Sequence, residues 1–200
     1  ERVNEYESDD GSQIHPIMYE ISTRPWLYEL SQKYGKTIKL ANIPTEEIQA
    51  LKDKGVEMIW MMGMWTLGPY SMARATDTEM RVNSYGPNLP DYTFDDIIGS
   101  PYAVVDYVVN PDIGTDDDLA KFKQMLNSMG MRLMLDFVPN HSAVDAPWTT
   151  SNPEYYVNVP KGTQKPYDPS SYLPNGIANG RDPYFAAWLD TAQWNYWNPA

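Results

Sequence analysis

The chain has 200 residues, 42% hydrophobic and 21% charged, with a formal net charge of −12 and no cysteine. That is a globular composition with apolar material for a core, and it excludes a disulfide framework, a thiolate metal site and a cysteine nucleophile. The acidic balance, with no Lys/Arg cluster, excludes a typical nucleic-acid binder and points to a neutral or cationic ligand, or simply to a solubilising surface.

Residues 1–13, ERVNEYESDDGSQ, read as a polar tail, neither signal peptide nor anchor. No apolar run reaches the roughly 18 residues that span a bilayer, so no membrane span is expected. HPIMYEIST (15–23) is a first strand, closed by Pro25, and WLYELSQKYGK is a short helix ending near Gly35. PTEEIQALKDKG (44–55) is a second helix, with Thr45 as N-cap, Glu46 and Glu47 at its positive end and Gly55 just past its C-terminus. VEMIWMMGMW (56–65) has the nearly continuous apolar character of a strand buried on both faces of a parallel sheet, its methionines packing the core.

Residues 66–99 carry Gly68-Pro69, Gly86-Pro87 and Pro90 and are expected to be mostly loop. GTDDDLAKFKQMLNSMG (114–130) is the clearest helix: Thr115 caps it, Asp118 completes a capping box, and Leu119, Phe122, Met125, Leu126 and Met129 form one apolar stripe. MRLMLDFV (131–138) is the next buried strand. From residue 139 the chain becomes proline- and aromatic-rich, the texture of an irregular subdomain and not of a linker. The expected organisation is a tail (1–13), an α/β body (14–139) and this subdomain (140–200).

Helices alternating with buried strands imply a parallel sheet, either doubly wound or closed as a (β/α)₈ barrel. Both architectures put chemistry at the C-terminal ends of strands. Asp136, Asn140 and His141 crowd one such end, and a carboxylate inside an apolar run needs partners to offset its desolvation. A satisfied loop-capping Asp is the structural alternative. Asn140-His141-Ser142 also fits a glycosylation sequon, which a strand-end pocket disfavours. Upstream, in PYAVVDYVVNPDIGT, an extended backbone puts residues 102, 104 and 106 on one face, so that Tyr102 and Asp106 share a space where a sugar ring can stack and hydrogen-bond.

MRLMLDFVPNH resembles the D-x-V-x-N-H signature after the third strand of the α-amylase family of glycoside hydrolases. PYAVVDYVVNPDIGTDDDLAKF is similar to that family's G-Y-D…D-Y segment with its following P-x-x-G-T, and DTAQWNYWNPA to its Q-P-D-L-N motif followed by NP. GVEMIWMMGMW fits the family's second strand, and the motifs stand in the family's order over residues 15–200. The resemblance implies the first three strands of a (β/α)₈ TIM barrel followed by an inserted domain B.

It also implies Tyr102 as a stacking platform for the sugar, His141 as a hydrogen-bonding partner of a sugar hydroxyl, Asp136 as support from the strand end, and Asn140 at a position that often ligates a structural Ca²⁺. Asp106 reads as structural. Two departures stand out: Pro101-Tyr102-Ala103 replaces G-Y-D, and Trp194 stands where leucine is common. The nucleophilic and acid carboxylates of this family follow later strands, so the resemblance implies that the chain is the front part of a catalytic domain and holds neither.

The implied activity is retaining cleavage of α-glucosidic linkages in starch, maltodextrin or a related α-glucan. A transglycosylase of the same family, or a non-catalytic carbohydrate- or partner-binding domain, is the alternative. A His/Asp metal hydrolase is weaker still, since His15 is remote from His141 in sequence. Export is the expected destination, polysaccharides being mostly extracellular.

Overall fold

A computed structural model describes residues 15–159, 164, 168–182 and 184–199. The tail expected at residues 1–13 lies outside the described residues. The contacts divide the chain into two compact units. One takes the described residues up to Met64 together with Asp112–Asp136; the other takes Trp65–Pro111 together with the described residues from Phe137 onward. This grouping differs from a linear division at 139/140, because the segment before Pro111 packs with the later residues.

The first unit is built on three parallel strands, β1 (Met18–Ser22), β2 (Met58–Met62) and β5 (Arg132–Leu135), in the order β1-β2-β5. Register runs Met18↔Met58 to Ser22↔Met62 and Met58↔Arg132 to Met61↔Leu135. The helices between them are α1 (Thr23–Tyr34), α2 (Thr45–Lys52) and α6 (Asp116–Ser128). α1 starts three residues earlier than its sequence suggests, and Gly35 closes it at φ 61°, a left-handed turn in which Gly35 and Lys36 N–H reach back to Gln32 and Ser31 carbonyls.

Thr45 does not cap α2. It is the first helical residue, behind Pro44, and its hydroxyl lies toward Met125 sulfur at 3.7 Å. α6 has the expected capping box: Thr115 Oγ1 accepts the Asp118 N–H at 3.2 Å while Asp118 Oδ2 accepts the Thr115 N–H at 2.9 Å. Its stripe turns Phe122 and Leu126 fully inward, each burial contributing about 1.5–3 kcal/mol. Ile59 and Met61 of β2 are fully buried, whereas Met58, Trp60 and Met62 are half-buried, so β2 alternates where burial on both faces was expected.

The second unit holds β3 (Trp65–Leu67) and β4 (Val104–Val109), antiparallel with an irregular register, and β6 (His141–Ala143) and β7 (Thr191–Gln193), also antiparallel. The stretch expected to be loop, 66–99, is largely helical: α3 (Pro69–Ala75), α4 (Thr78–Met80), a wide turn over Arg81–Tyr85 and α5 (Gly86–Asn88). Each piece is shorter than the two turns in which an apolar period becomes visible. After β6, α7 (Trp148–Ser151) precedes a small core of Tyr156, Ile177 and Ala192.

Candidate active site

β5 ends at Leu135, and Asp136 follows beside the end of β2. Its Oδ1 accepts the indole N–H of Trp60 at 2.9 Å, and its Oδ2 accepts the Gly63 N–H at 2.6 Å. Charge-assisted bonds of this kind offset the desolvation of a half-buried carboxylate. Asp136 thus ties the C-terminal ends of two neighbouring parallel strands within the first unit.

Tyr102, Asn140 and His141 belong to the second unit. β4 begins only at Val104, so Tyr102 lies ahead of the strand and does not share a face with residues 104 and 106. Ser100 to Ala103 form a β-turn closed by the Ala103 N–H to the Ser100 carbonyl at 3.1 Å, with Pro101 at the turn position its fixed φ favours. Pro101 and Tyr102, where the departure from G-Y-D begins, are thus the central residues of the turn ahead of β4. Asp106 is exposed and pairs across the ladder with Thr66.

His141 opens β6, and its ring connects two segments. Nε2 lies 3.2 Å from the Tyr102 carbonyl oxygen and Nδ1 lies 3.1 Å from Asn140 Nδ2. A carbonyl only accepts and an amide nitrogen only donates, so one neutral tautomer, protonated on Nε2, satisfies both contacts. The ring is half-buried and meets Trp188 at 5.4 Å between centroids. Burial pushes its pKa below the ordinary 6.5; the Tyr102 carbonyl and the charge of Asp190 oppose this.

A cavity of about 260 Å³ is lined by His141, Asp106, Tyr107, Ser142, Trp148 and Trp194, among others. Tyr102 meets His141 through its backbone and is not among the residues lining this cavity. A wider cleft of about 590 Å³ shares Tyr107, Trp148 and Trp194 and adds Phe137 and Tyr196, whose rings are largely exposed. Trp194 stacks on Tyr156 at 4.3 Å and meets Trp148 edge-on at 5.9 Å, so the tryptophan in place of leucine builds an aromatic wall. Rings beside an imidazole and a carboxylate suit a ligand that is apolar on its faces and hydroxylated at its rim.

Asn140 lies exposed, with its carboxamide facing that of Gln193. Its Oδ1 accepts from Gln193 Nε2 at 3.1 Å, and among the described residues no three His, Cys, Asp or Glu side chains converge. A Ca²⁺ ion takes six to eight oxygens, usually including carboxylates; one neutral oxygen already bonded to an amide does not match that donor set.

Local pattern did not single out Gln193, Trp188 or Gly180. A Cβ at Gly180 would lie 2.6 Å from Thr191 Oγ1 and 3.2 Å from His141 Cβ, so the absent side chain is what lets this backbone approach the imidazole. Gln193 was legible only by alignment: with Trp194 at the leucine of Q-P-D-L-N, Gln193 falls on the aspartate.

The α-amylase catalytic domain matches residues 41–197. Maltase A1 of Drosophila melanogaster is 26% identical over 147 residues, 74% of this chain and 19% of that protein. The α-1,4-glucan:maltose-1-phosphate maltosyltransferase of Rhodospirillum rubrum is 32% identical over 90 residues, 42% of this chain and 13% of that protein. The crystal structure of an α-amylase from Lactobacillus plantarum has the same fold over 92% of this chain and 32% of its own, with a TM-score of 0.57 at 21% identity. The chain thus spans about a fifth or less of these two curated relatives and about a third of that structure. A match over residues 41–197, most of the chain, makes it a member of the α-amylase catalytic-domain family.

Proposed function

We propose that the protein carrying this chain is a retaining glycoside hydrolase that cleaves α-glucosidic linkages in starch, maltodextrin or a related α-glucan. In such a reaction a carboxylate attacks the anomeric carbon, an acid protonates the leaving oxygen, and water resolves the glycosyl-enzyme. The family pattern puts both carboxylates on segments after those described, so this chain's part is to bind and orient. The same proposal makes β1, β2 and β5 the first three strands of a (β/α)₈ barrel and residues 140–200 a domain B insertion.

The observation that carries the reading is the imidazole of His141 joined to Tyr102 beside an aromatic-walled cavity, in a chain that matches the catalytic domain. His141 would donate to a sugar hydroxyl through Nε2, sharing or exchanging the bond now made to the Tyr102 carbonyl. Tyr102 would stack on the sugar, and Asp136 would keep the ends of β2 and β5 in register within its own unit. Transfer to a sugar acceptor in place of water is the second reading, favoured by the similarity to a maltosyltransferase.

The test is turnover of maltooligosaccharides by the full-length protein. His141→Ala is expected to lower kcat/KM by well over tenfold, more than about 1.4 kcal/mol in transition-state terms. An unchanged kcat/KM would remove His141 from the site. Tyr102→Ala is expected to weaken binding of a maltooligosaccharide-like inhibitor, and equal affinity would dismiss stacking. Products analysed with and without a sugar acceptor separate hydrolysis from transfer.

A further inference from the structure

We infer that Gln193 and Asn140 form a metal-free clasp that holds β6 against β7 and fixes the tautomer of His141. The two side chains exchange bonds in both directions. Gln193 Nε2 donates to the Asn140 backbone carbonyl at 2.8 Å and to Asn140 Oδ1 at 3.1 Å. Asn140 Nδ2 donates to Gln193 Oε1 at 3.3 Å and to His141 Nδ1 at 3.1 Å. All four N–H groups of the two carboxamides therefore have an acceptor.

The direction of the chain is set at both ends by backbone carbonyls, which only accept. The Asn140 carbonyl requires the nitrogen of Gln193 on its side, and that nitrogen turns Asn140 Oδ1 toward itself. Asn140 Nδ2 is then left to face Nδ1 of His141, whose lone pair must point back at it. The imidazole proton goes to Nε2, where the Tyr102 carbonyl receives it. A flipped amide at either position would put two donors or two acceptors together, so the network has one consistent polarity.

The clasp sits at the first pair of the β6–β7 ladder, His141↔Gln193, and is reinforced by the Trp194 N–H to the Asn140 carbonyl at 3.2 Å. A Ca²⁺ ion usually takes carboxylates among its oxygens, and Gln193 brings no charge: its Oε1 already accepts from Asn140 Nδ2, and its nitrogen occupies Asn140 Oδ1. Gln193 is on this account a positioning residue, acting on His141 through Asn140.

The experiment uses the full-length protein, ¹⁵N-labelled at histidine, with the His141 resonance identified by its loss in His141→Gln. Long-range ¹H–¹⁵N spectra at neutral pH are expected to show the Nε2–H tautomer alone. Thermal unfolding is expected to give the same Tm in millimolar CaCl₂ and in EGTA. In Gln193→Leu the Nδ1–H tautomer should appear beside the other and Tm should fall. An Nδ1–H tautomer in the wild type, a saturable rise of Tm with CaCl₂, or a Gln193→Leu variant with an unchanged His141 spectrum would each overturn the clasp. If Gln193→Leu does not fold, the two wild-type measurements decide alone.

Discussion

At the scale of single residues, the tightest constraint near the imidazole is Gly180. Its N–H binds Thr191 Oγ1 at 3.1 Å, and a methyl group there would press on that same oxygen and on His141. Gly180→Ala is expected to destabilise by about 1–3 kcal/mol, the usual cost of overpacking. Removing the obstruction should recover part of the loss, so Gly180→Ala with Thr191→Ser is not the control, since serine keeps the oxygen; Thr191→Ala is. Equilibrium unfolding of the two single variants and the double variant checks this: a double variant no more stable than the sum of the singles would put the strain elsewhere. None of this is visible locally, because Gly180 and Thr191 are eleven residues apart and the contact with His141 spans a longer separation. The carboxylate at Asp136 was readable as something that needed partners, since an acid in an apolar run must have them. Its partners Trp60 and Gly63 are 76 and 73 positions away, and no local rule names them.

At the scale of elements, the helix that was clearest in the sequence is held by the interaction that made it clear. Thr115→Ala removes the hydroxyl that accepts the Asp118 N–H and should cost about 1 kcal/mol of stability, read as a lower denaturant midpoint; no change would mean the box contributes nothing here. α1 and α2 are joined differently. Glu47 accepts from the Lys33 ammonium and from the Tyr34 hydroxyl, the latter at 2.7 Å. These bonds, Lys33 first, hold the Glu47 carboxyl below its ordinary 4.5, while the same contact raises the Tyr34 phenol so that it stays a donor. The unfolded carboxyl takes up its proton at higher pH than the folded one. The stabilisation is therefore complete above about pH 4.5 and is lost as pH falls through the depressed folded value. Glu47→Gln should flatten that acid limb of the stability curve, and an acid limb identical to wild type would show that this carboxylate does not set it. Helices of two or more turns, with caps and an apolar stripe, were legible because those signals are local. The helical pieces between Pro69 and Asn88 were not, because they are too short to show a period. Tyr102 was misplaced for a related reason: the turn at Pro101 outweighs the strand propensity of the valines after it.

At the scale of the whole molecule, the parallel sheet raises its own question. In the order β1-β2-β5 both outer strands have an unpaired edge among the described residues. Met18 and Tyr19 of β1 are 44% and 49% exposed, and Met134 of β5 is 38% exposed. All-parallel sheets occur almost only with both faces covered, and free edges template association with other strands. On the proposed barrel these edges belong to further strands, in keeping with a chain that spans about a third of its structural neighbour. Produced alone, the 200-residue chain is therefore expected to self-associate with rising concentration and to bind an apolar dye, as measured by sedimentation and by fluorescence. In the full-length protein Tyr19 and Met134 should be protected, read by oxidative footprinting as slower labelling than in the isolated chain. A chain that stays monomeric and dye-free at every concentration would mean that its edges need no further strands, and the barrel would have to be given up, although family membership would stand on the match to residues 41–197.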